Sequence, residues 1–163
     1  MSIISSNYGH KKNYIKRHSL FRGLLGTDLD IHFFGRDWKI QDERYKGSPY
    51  NKSDGIVEYE YSIAIENSNY DNYLTEKFFD CTVCNTAPLY HGCENTKDIY
   101  PEKSFISLDF SGPIEQTVEQ VVDIYKNDDY SLRLPHVLDA KELYYTKYNI
   151  FNFVEKLIDE GKI

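Results

Sequence analysis

The sequence predicts an α/β fold, a parallel sheet with helices on its flanks. Two observations carry the prediction. Short strand-like runs alternate along the chain with segments whose apolar residues recur at helical spacing. The 163 residues also give room for one domain with a substantial core, and too little for two of ordinary size. No internal repeat or low-complexity tract points to another architecture, so a single domain over residues 1–163 is expected.

In chain order, Ile3-Ile4-Ser5-Ser6-Asn7 reads as a first strand running into a polar loop. Lys11, Lys12, Lys16, Arg17 and His18 follow as a basic cluster. Leu20, Phe21, Leu24 and Leu25 share a helical face that Gly26 is placed to end, which puts Arg17 near the first turn, where a cation could meet an anion. A solvated basic surface is the plain alternative. Residues 30–35 form the second strand, with Gly35 marking a tight turn or a close backbone approach. Asp28-Leu29-Asp30 has the spelling of an Asp-x-Asp metal motif but stands at the entry to a strand, where solvated turn residues belong. Residues 36–55 are polar and rich in turn formers, a surface connection with little regular structure.

Tyr59, Tyr61, Ile63 and Ile65 alternate with Glu60, Ser62, Ala64 and Glu66, the period of a strand with one buried face. A polar loop leads to Phe78, Phe79, Thr82 and Val83 at helical spacing, so a helix begins near Thr75-Glu76-Lys77 and stops at Asn85 in a left-handed cap. Ala87-Pro88-Leu89-Tyr90 is the next buried strand, and Ser104-Phe105-Ile106-Ser107-Leu108 another. Residues 114–127 place Val118, Val121, Val122 and Tyr125 on one helical face behind Pro113. Residues 141–160 form a last amphipathic helix.

Composition excludes several functions. A net charge of -7 argues against binding a nucleic-acid backbone, whose affinity comes from clustered Lys and Arg. No run approaches the roughly 20 apolar residues of a membrane span, and the first residues lack the apolar core of a signal peptide, so the expected compartment is cytoplasmic. The sequon Asn51-Lys52-Ser53 carries no weight without a secretion signal. Cys81 and Cys84 have Cys-x-x-Cys spacing but lie in the helical run with no second ligand pair; with Cys93 they read as buried free thiols.

Ligands of open α/β sheets bind beyond the carboxyl ends of the strands, where a helix N-terminus offers free N–H groups and a positive dipole end. The loop over residues 66–77 is such a place. Asn67 can donate and accept, Tyr73 offers a ring and a hydroxyl, Glu76 can accept from paired hydroxyls such as those of a ribose, and Lys77 can pair with phosphate. Each has an ordinary structural reading too: Glu76 as a first-turn dipole partner, Lys77 as a solvated helix residue, Tyr73 as core.

Their joint spacing is more specific. Ile65-Glu66-Asn67-Ser68, then Tyr73-Leu74-Thr75-Glu76-Lys77-Phe78, then Pro88-Leu89-Tyr90-His91-Gly92 resembles the donor-binding region of the family 10 glycosyltransferases, the α-1,3/1,4-fucosyltransferases. Residues 3–130 take part in the resemblance. It implies a Rossmann-like sheet that is the donor-binding half of a GT-B glycosyltransferase, and an inverting transfer of L-fucose from GDP-fucose or a related nucleotide sugar to a carbohydrate acceptor hydroxyl. It implies no metal and no cofactor besides the sugar nucleotide as substrate. Carried over by position, Lys77 and Arg17 hold the diphosphate and stabilise the leaving group, Glu76 meets the ribose, and Asn67 and Tyr73 are further donor contacts.

The departures are equally specific. His91 stands where the family has Trp, and Glu94 where Pro is common. Family members place an acceptor domain with the general base before the matched region, and Met1 falls at about the first strand of the donor half. The base therefore has no counterpart here. A nucleotide-sugar-binding module without catalysis of its own, or one that takes the base from a partner chain, is the alternative expectation. A second copy could face the cleft across the gap, with the helix over 141–160 as contact surface.

Overall fold

The computed structural model describes residues 1–7 and 12–162, without the side chain of Lys12. Lys11 and the Lys12 side chain, both in the basic cluster, lie outside what is described. Six strands form one sheet: β1 (Ser2–Ile4), β2 (His32–Phe34), β3 (Tyr45–Gly47), β4 (Tyr61–Ile65), β5 (Ala87–His91) and β6 (Ile106–Ser107). Their order is β3-β2-β1-β4-β5-β6, and every pairing is parallel. The expected α/β class is thus the observed one, in the doubly wound order that binds ligands where the winding reverses.

The helices are α1 (Lys12–Leu25), α2 (Glu76–Val83), α3 (Thr96–Ile99), α4 (Ile114–Asn127), α5 (Tyr130–Leu143) and α6 (Ile150–Asp159). Alternation along the central strands divides the core in two. Ile63 and Leu89 join Leu20, Phe21, Leu24 and Val121 on the α1/α4 face, while Ala64 and Tyr90 join Phe78, Cys81 and Ala140 on the α2/α5 face. All five residues of β4 are buried. The expected one-sided strand is therefore covered on both faces, as a central parallel strand must be, and Tyr59 falls outside it.

Other boundaries differ for local reasons. Residues 36–55 contain the edge strand β3 and a 3-10 turn at Lys52–Gly55. Three partly exposed residues leave no period to read. Helix α1 starts earlier than its apolar face, so Arg17 is its sixth residue, in the second turn. Helix α4 turns Thr117, Val121 and Ile124 inward and leaves Tyr125 38% exposed, a face shifted by one position from the expected one. Helix α5 is an element the apolar pattern did not announce; it carries Pro135 and buries only Val137 and Ala140. The segment over 141–160 is not one helix: a π turn at Tyr144–Tyr148 and the cap Asn149 separate α5 from α6.

The turn predictions hold. Asn85 has φ 60° after α2. Gly35 has φ 149°, and a Cβ there would lie 1.9 Å from the Ser5 carbonyl oxygen, so only glycine lets the chain pass. Asp28 and Asp30 are exposed, and among the described residues no three His, Cys, Asp or Glu side chains gather as a metal site. Cys81 and Cys93 are buried and Cys84 is half-buried, all unpaired; burial pushes the Cys81 thiol up to about 12. Among the described residues no helix is long and apolar enough to cross a membrane.

Candidate functional site

Strands β1 and β4 are neighbours, yet the chain leaves β1 toward β2 and leaves β4 toward β5. Their carboxyl ends therefore diverge, and a cleft of about 270 Å³ opens there. Ser5, Ser6 and Ile65 contribute its floor, Tyr14 and Arg17 of α1 one wall, and Glu76 and Lys77 of α2 with Lys52 the other. Arg17, Asn67, Glu76 and Lys77, four of the five residues singled out by sequence, line this one cleft. Tyr73 does not. Its ring packs edge to face on Tyr70, with centroids 6.0 Å apart.

The start of α2 is fixed by a residue to which sequence reading gave no role. Glu66, the residue after β4, is fully buried. Its Oε1 accepts the Thr75 backbone N–H at 2.9 Å and its Oε2 the Thr75 hydroxyl at 2.6 Å. Tyr90 donates to Oε1 at 3.4 Å, and Lys77 Nζ stands 3.5 Å from Oε2. Thr75 is the N-cap of α2, so a carboxylate on the sheet holds the helix end in place. Gly92 makes room for it: a Cβ there would lie 2.3 Å from Glu66 Cγ. The signal for Glu66 was a carboxylate directly after a run of apolar strand residues.

Arg17 is positioned from the sheet, not by a helix N-terminus. It is 9% exposed, and its Nη2 donates to the Ile65 carbonyl at 2.7 Å and to Asn67 Oδ1 at 2.9 Å. Its guanidinium also lies over the Tyr14 ring, 4.9 Å from the centroid. Lys77, with a side chain 18% exposed, reaches Glu76 Oε1 at 2.9 Å and Thr75 Oγ1 at 3.2 Å. Partial burial raises the Glu76 carboxyl, but the hydrogen bond and charge of Lys77, with Lys52 beyond it, reverse this and hold it at about 2. Ser5 Oγ, in the floor, is buried with no hydrogen-bond partner among the described residues. Leaving such a group unsatisfied costs about 1–3 kcal/mol.

His91 ends β5 beside a second cavity of about 280 Å³. Its Nε2 is 3.1 Å from Lys16 Nζ and 3.0 Å from Asn69 Nδ2, while Nδ1 is 3.2 Å from the Leu108 carbonyl. Two donors at Nε2 and an acceptor at Nδ1 assign the neutral Nδ1–H tautomer. Burial and the Lys16 charge push the imidazole below its ordinary value, in keeping with that form.

The arrangement can hold an extended, doubly anionic ligand: two cations and a helix N-terminus at one end, and a carboxylate able to accept from paired hydroxyls beside them. Residues 1–134 match the family model described as glycosyltransferase family 10 (fucosyltransferase), C-terminal part. The chain is similar to alpha-(1,3)-fucosyltransferase fut-5 of Caenorhabditis elegans, 26% identical over 119 residues, covering 70% of this chain and 32% of that protein. It is 22% identical to the alpha-(1,3)-fucosyltransferase FucT of Helicobacter pylori over 121 residues, 69% of this chain and 25% of that one. The fold matches a crystal structure of an alpha1,3-fucosyltransferase solved with GDP-fucose, at a TM-score of 0.61 and 18% identity, over 84% of this chain and 37% of that one. This chain thus spans a third or less of the length of these curated relatives.

Proposed function

Because the chain belongs to glycosyltransferase family 10, the fucosyltransferases, we propose that the β1/β4 cleft binds GDP-fucose or a related nucleotide sugar. It serves as the donor half of an inverting transfer to a carbohydrate hydroxyl. The observation that carries this reading is the convergence of Arg17, Asn67, Glu76 and Lys77 on one cleft at the N-terminus of α2. Lys77 and Arg17 take the diphosphate, Glu76 accepts from the ribose hydroxyls, and the Ser5 hydroxyl gains the partner it lacks among the described residues. As the bond from sugar to phosphate breaks, negative charge grows on the departing GDP. Fixed cations stabilise that charge more in the transition state than in the bound substrate. Tyr73 lies off the cleft lining and reaches the donor only if its loop moves.

One observation favours a narrower reading for the chain by itself. Glu76 is the sole carboxylate among the described residues lining the cleft, and at about 2 its pKa is far below what deprotonating a hydroxyl near neutral pH calls for. The general base would then come from outside these lining residues, with a partner chain or a second copy among its sources. Calorimetry with GDP, UDP and ADP tests the reading. GDP binding is expected, weakened about ten- to a hundred-fold in Lys77→Ala by loss of a charge-assisted contact. Indifference to all three nucleotides would defeat the proposal. Binding without turnover over a broad acceptor panel would single out the narrower form.

A further inference from the structure

We propose that Lys52 is a positioning residue of the donor cleft: by holding the Glu76 carboxylate it releases Lys77 to the diphosphate. The inference rests on the nucleotide-sugar reading given above. Lys52 opens the 3-10 turn Lys52–Gly55, in a stretch whose sequence reads as connection only. The turn is pressed onto the sheet at Gly55, where a Cβ would lie 2.9 Å from Ile4 Cδ1. That close approach brings the Lys52 amine to the wall of the cleft.

There it meets two carboxylates of α2. Lys52 Nζ is 2.7 Å from Asp80 Oδ2 and 3.6 Å from Glu76 Oε1. Glu76 and Asp80 are four residues apart and so share a helical face. Lys77 Nζ approaches the same Glu76 oxygen from the other side, at 2.9 Å. A single oxygen is thus shared by two ammonium groups, one of which lies deeper in the site: the Lys77 side chain is 18% exposed and that of Lys52 42%.

An arriving diphosphate competes with Glu76 for Lys77. Without a second cation, moving Lys77 to phosphate would strand the carboxylate beside a like charge, and Glu76 would hold Lys77 back. Lys52 removes that conflict, because Glu76 keeps a cation when Lys77 leaves. Asp80 anchors Lys52 on the carboxylate side, so it acts through Glu76 and not on the phosphate. The Glu66 carboxylate is no rival of the same kind, since two hydrogen bonds from Thr75 already hold it.

The test is titration of the full chain with inorganic pyrophosphate and, in parallel, with GDP. Lys52→Ala is expected to weaken both about two- to five-fold, the scale of a partly exposed ion pair. Glu76→Gln in the Lys52→Ala background should restore pyrophosphate binding, and Lys52→Arg should keep it. A merely structural role for Lys52 would not be reversed by changing Glu76. Unchanged binding in Lys52→Ala would overturn the proposal, as would a loss that persists with Glu76→Gln, which would mean direct contact with phosphate. If the unaltered chain binds pyrophosphate with this pattern but not GDP, the nucleotide reading falls and the role of Lys52 stands. If it binds neither, both fall.

Discussion

Replacing Glu66 should be the most damaging single change at this site, although the sequence reading gave it no role. Glu66→Ala removes the acceptor of two hydrogen bonds from Thr75, at 2.9 Å and 2.6 Å, in a position with no solvent exposure. A hydrogen bond to a charged group contributes about 1.5–3 kcal/mol, so the pair amounts to about 3–6 kcal/mol before relaxation. Water entering the vacated space recovers part of it, which leaves an expected loss of about 3–5 kcal/mol from a total stability of about 5–15 kcal/mol. For a chain of this size that is a fall in Tm of roughly 6–20 °C. Glu66→Gln keeps the volume and one acceptor oxygen and should lose about half as much. Urea unfolding followed by circular dichroism, with the slope compared between variants, reads the loss directly. A loss in Glu66→Ala below about 1 kcal/mol, the scale of one ordinary neutral bond, would refute the claim that this carboxylate ties α2 to the sheet.

Two more outcomes follow from the same surroundings. Gly92→Ala drives a methyl to within 2.3 Å of Glu66 Cγ and 2.7 Å of the Tyr90 hydroxyl. It should cost about 1–3 kcal/mol by overpacking, and its effect should shrink in the Glu66→Ala background, as a double-mutant cycle would measure. His91 should make stability depend on pH near neutrality. Burial and Lys16 depress its folded pKa, so between that value and about 6.5 the unfolded chain binds more protons than the folded one. Stability is therefore full above that window, falls on acidification through it, and changes no further on this account below it. Urea midpoints at about pH 7.5 and about pH 5.5 should differ, and His91→Gln, which cannot titrate, should narrow the difference; an identical slope in both proteins would exclude His91 as its source.

What could be read in the sequence follows from the range of the forces involved. Helix α2 was legible to within a residue or two at each end, because its first-turn Glu76 and the left-handed Asn85 behind it are local features. Helix α4 was legible in extent but rotated in face, since Thr117 is buried as well as any apolar neighbour once its hydroxyl donates to the Asp109 carbonyl at 2.6 Å. Helix α5 escaped because only Val137 and Ala140 are fully buried along it and Pro135 interrupts its run, which leaves too few apolar positions to draw a stripe. At the cleft, Asn67, Glu76 and Lys77 came from one short stretch. Lys52 and Ser5 reach it only through the pairing of β1 with β4, which no local pattern encodes.

The electrostatics of the cleft bear on the donor role proposed for it. Glu66 is buried under donors, Glu76 is kept ionised by two lysines, and Arg17 is anchored by a carbonyl and an amide. Each of these groups has its partner supplied by the protein, and Glu76 in particular is held ionised, its carboxyl well below the usual carboxylate range. Such a site holds charge and does not move protons. Stabilising a departing diphosphate needs nothing else, because the charge that appears is met by dipoles and cations already in position. Deprotonating an acceptor needs the opposite, a group poised near the working pH. The two tasks call for surroundings that push a carboxylate's pKa in opposite directions. Among the residues that line the β1/β4 cleft, this chain provides the first kind.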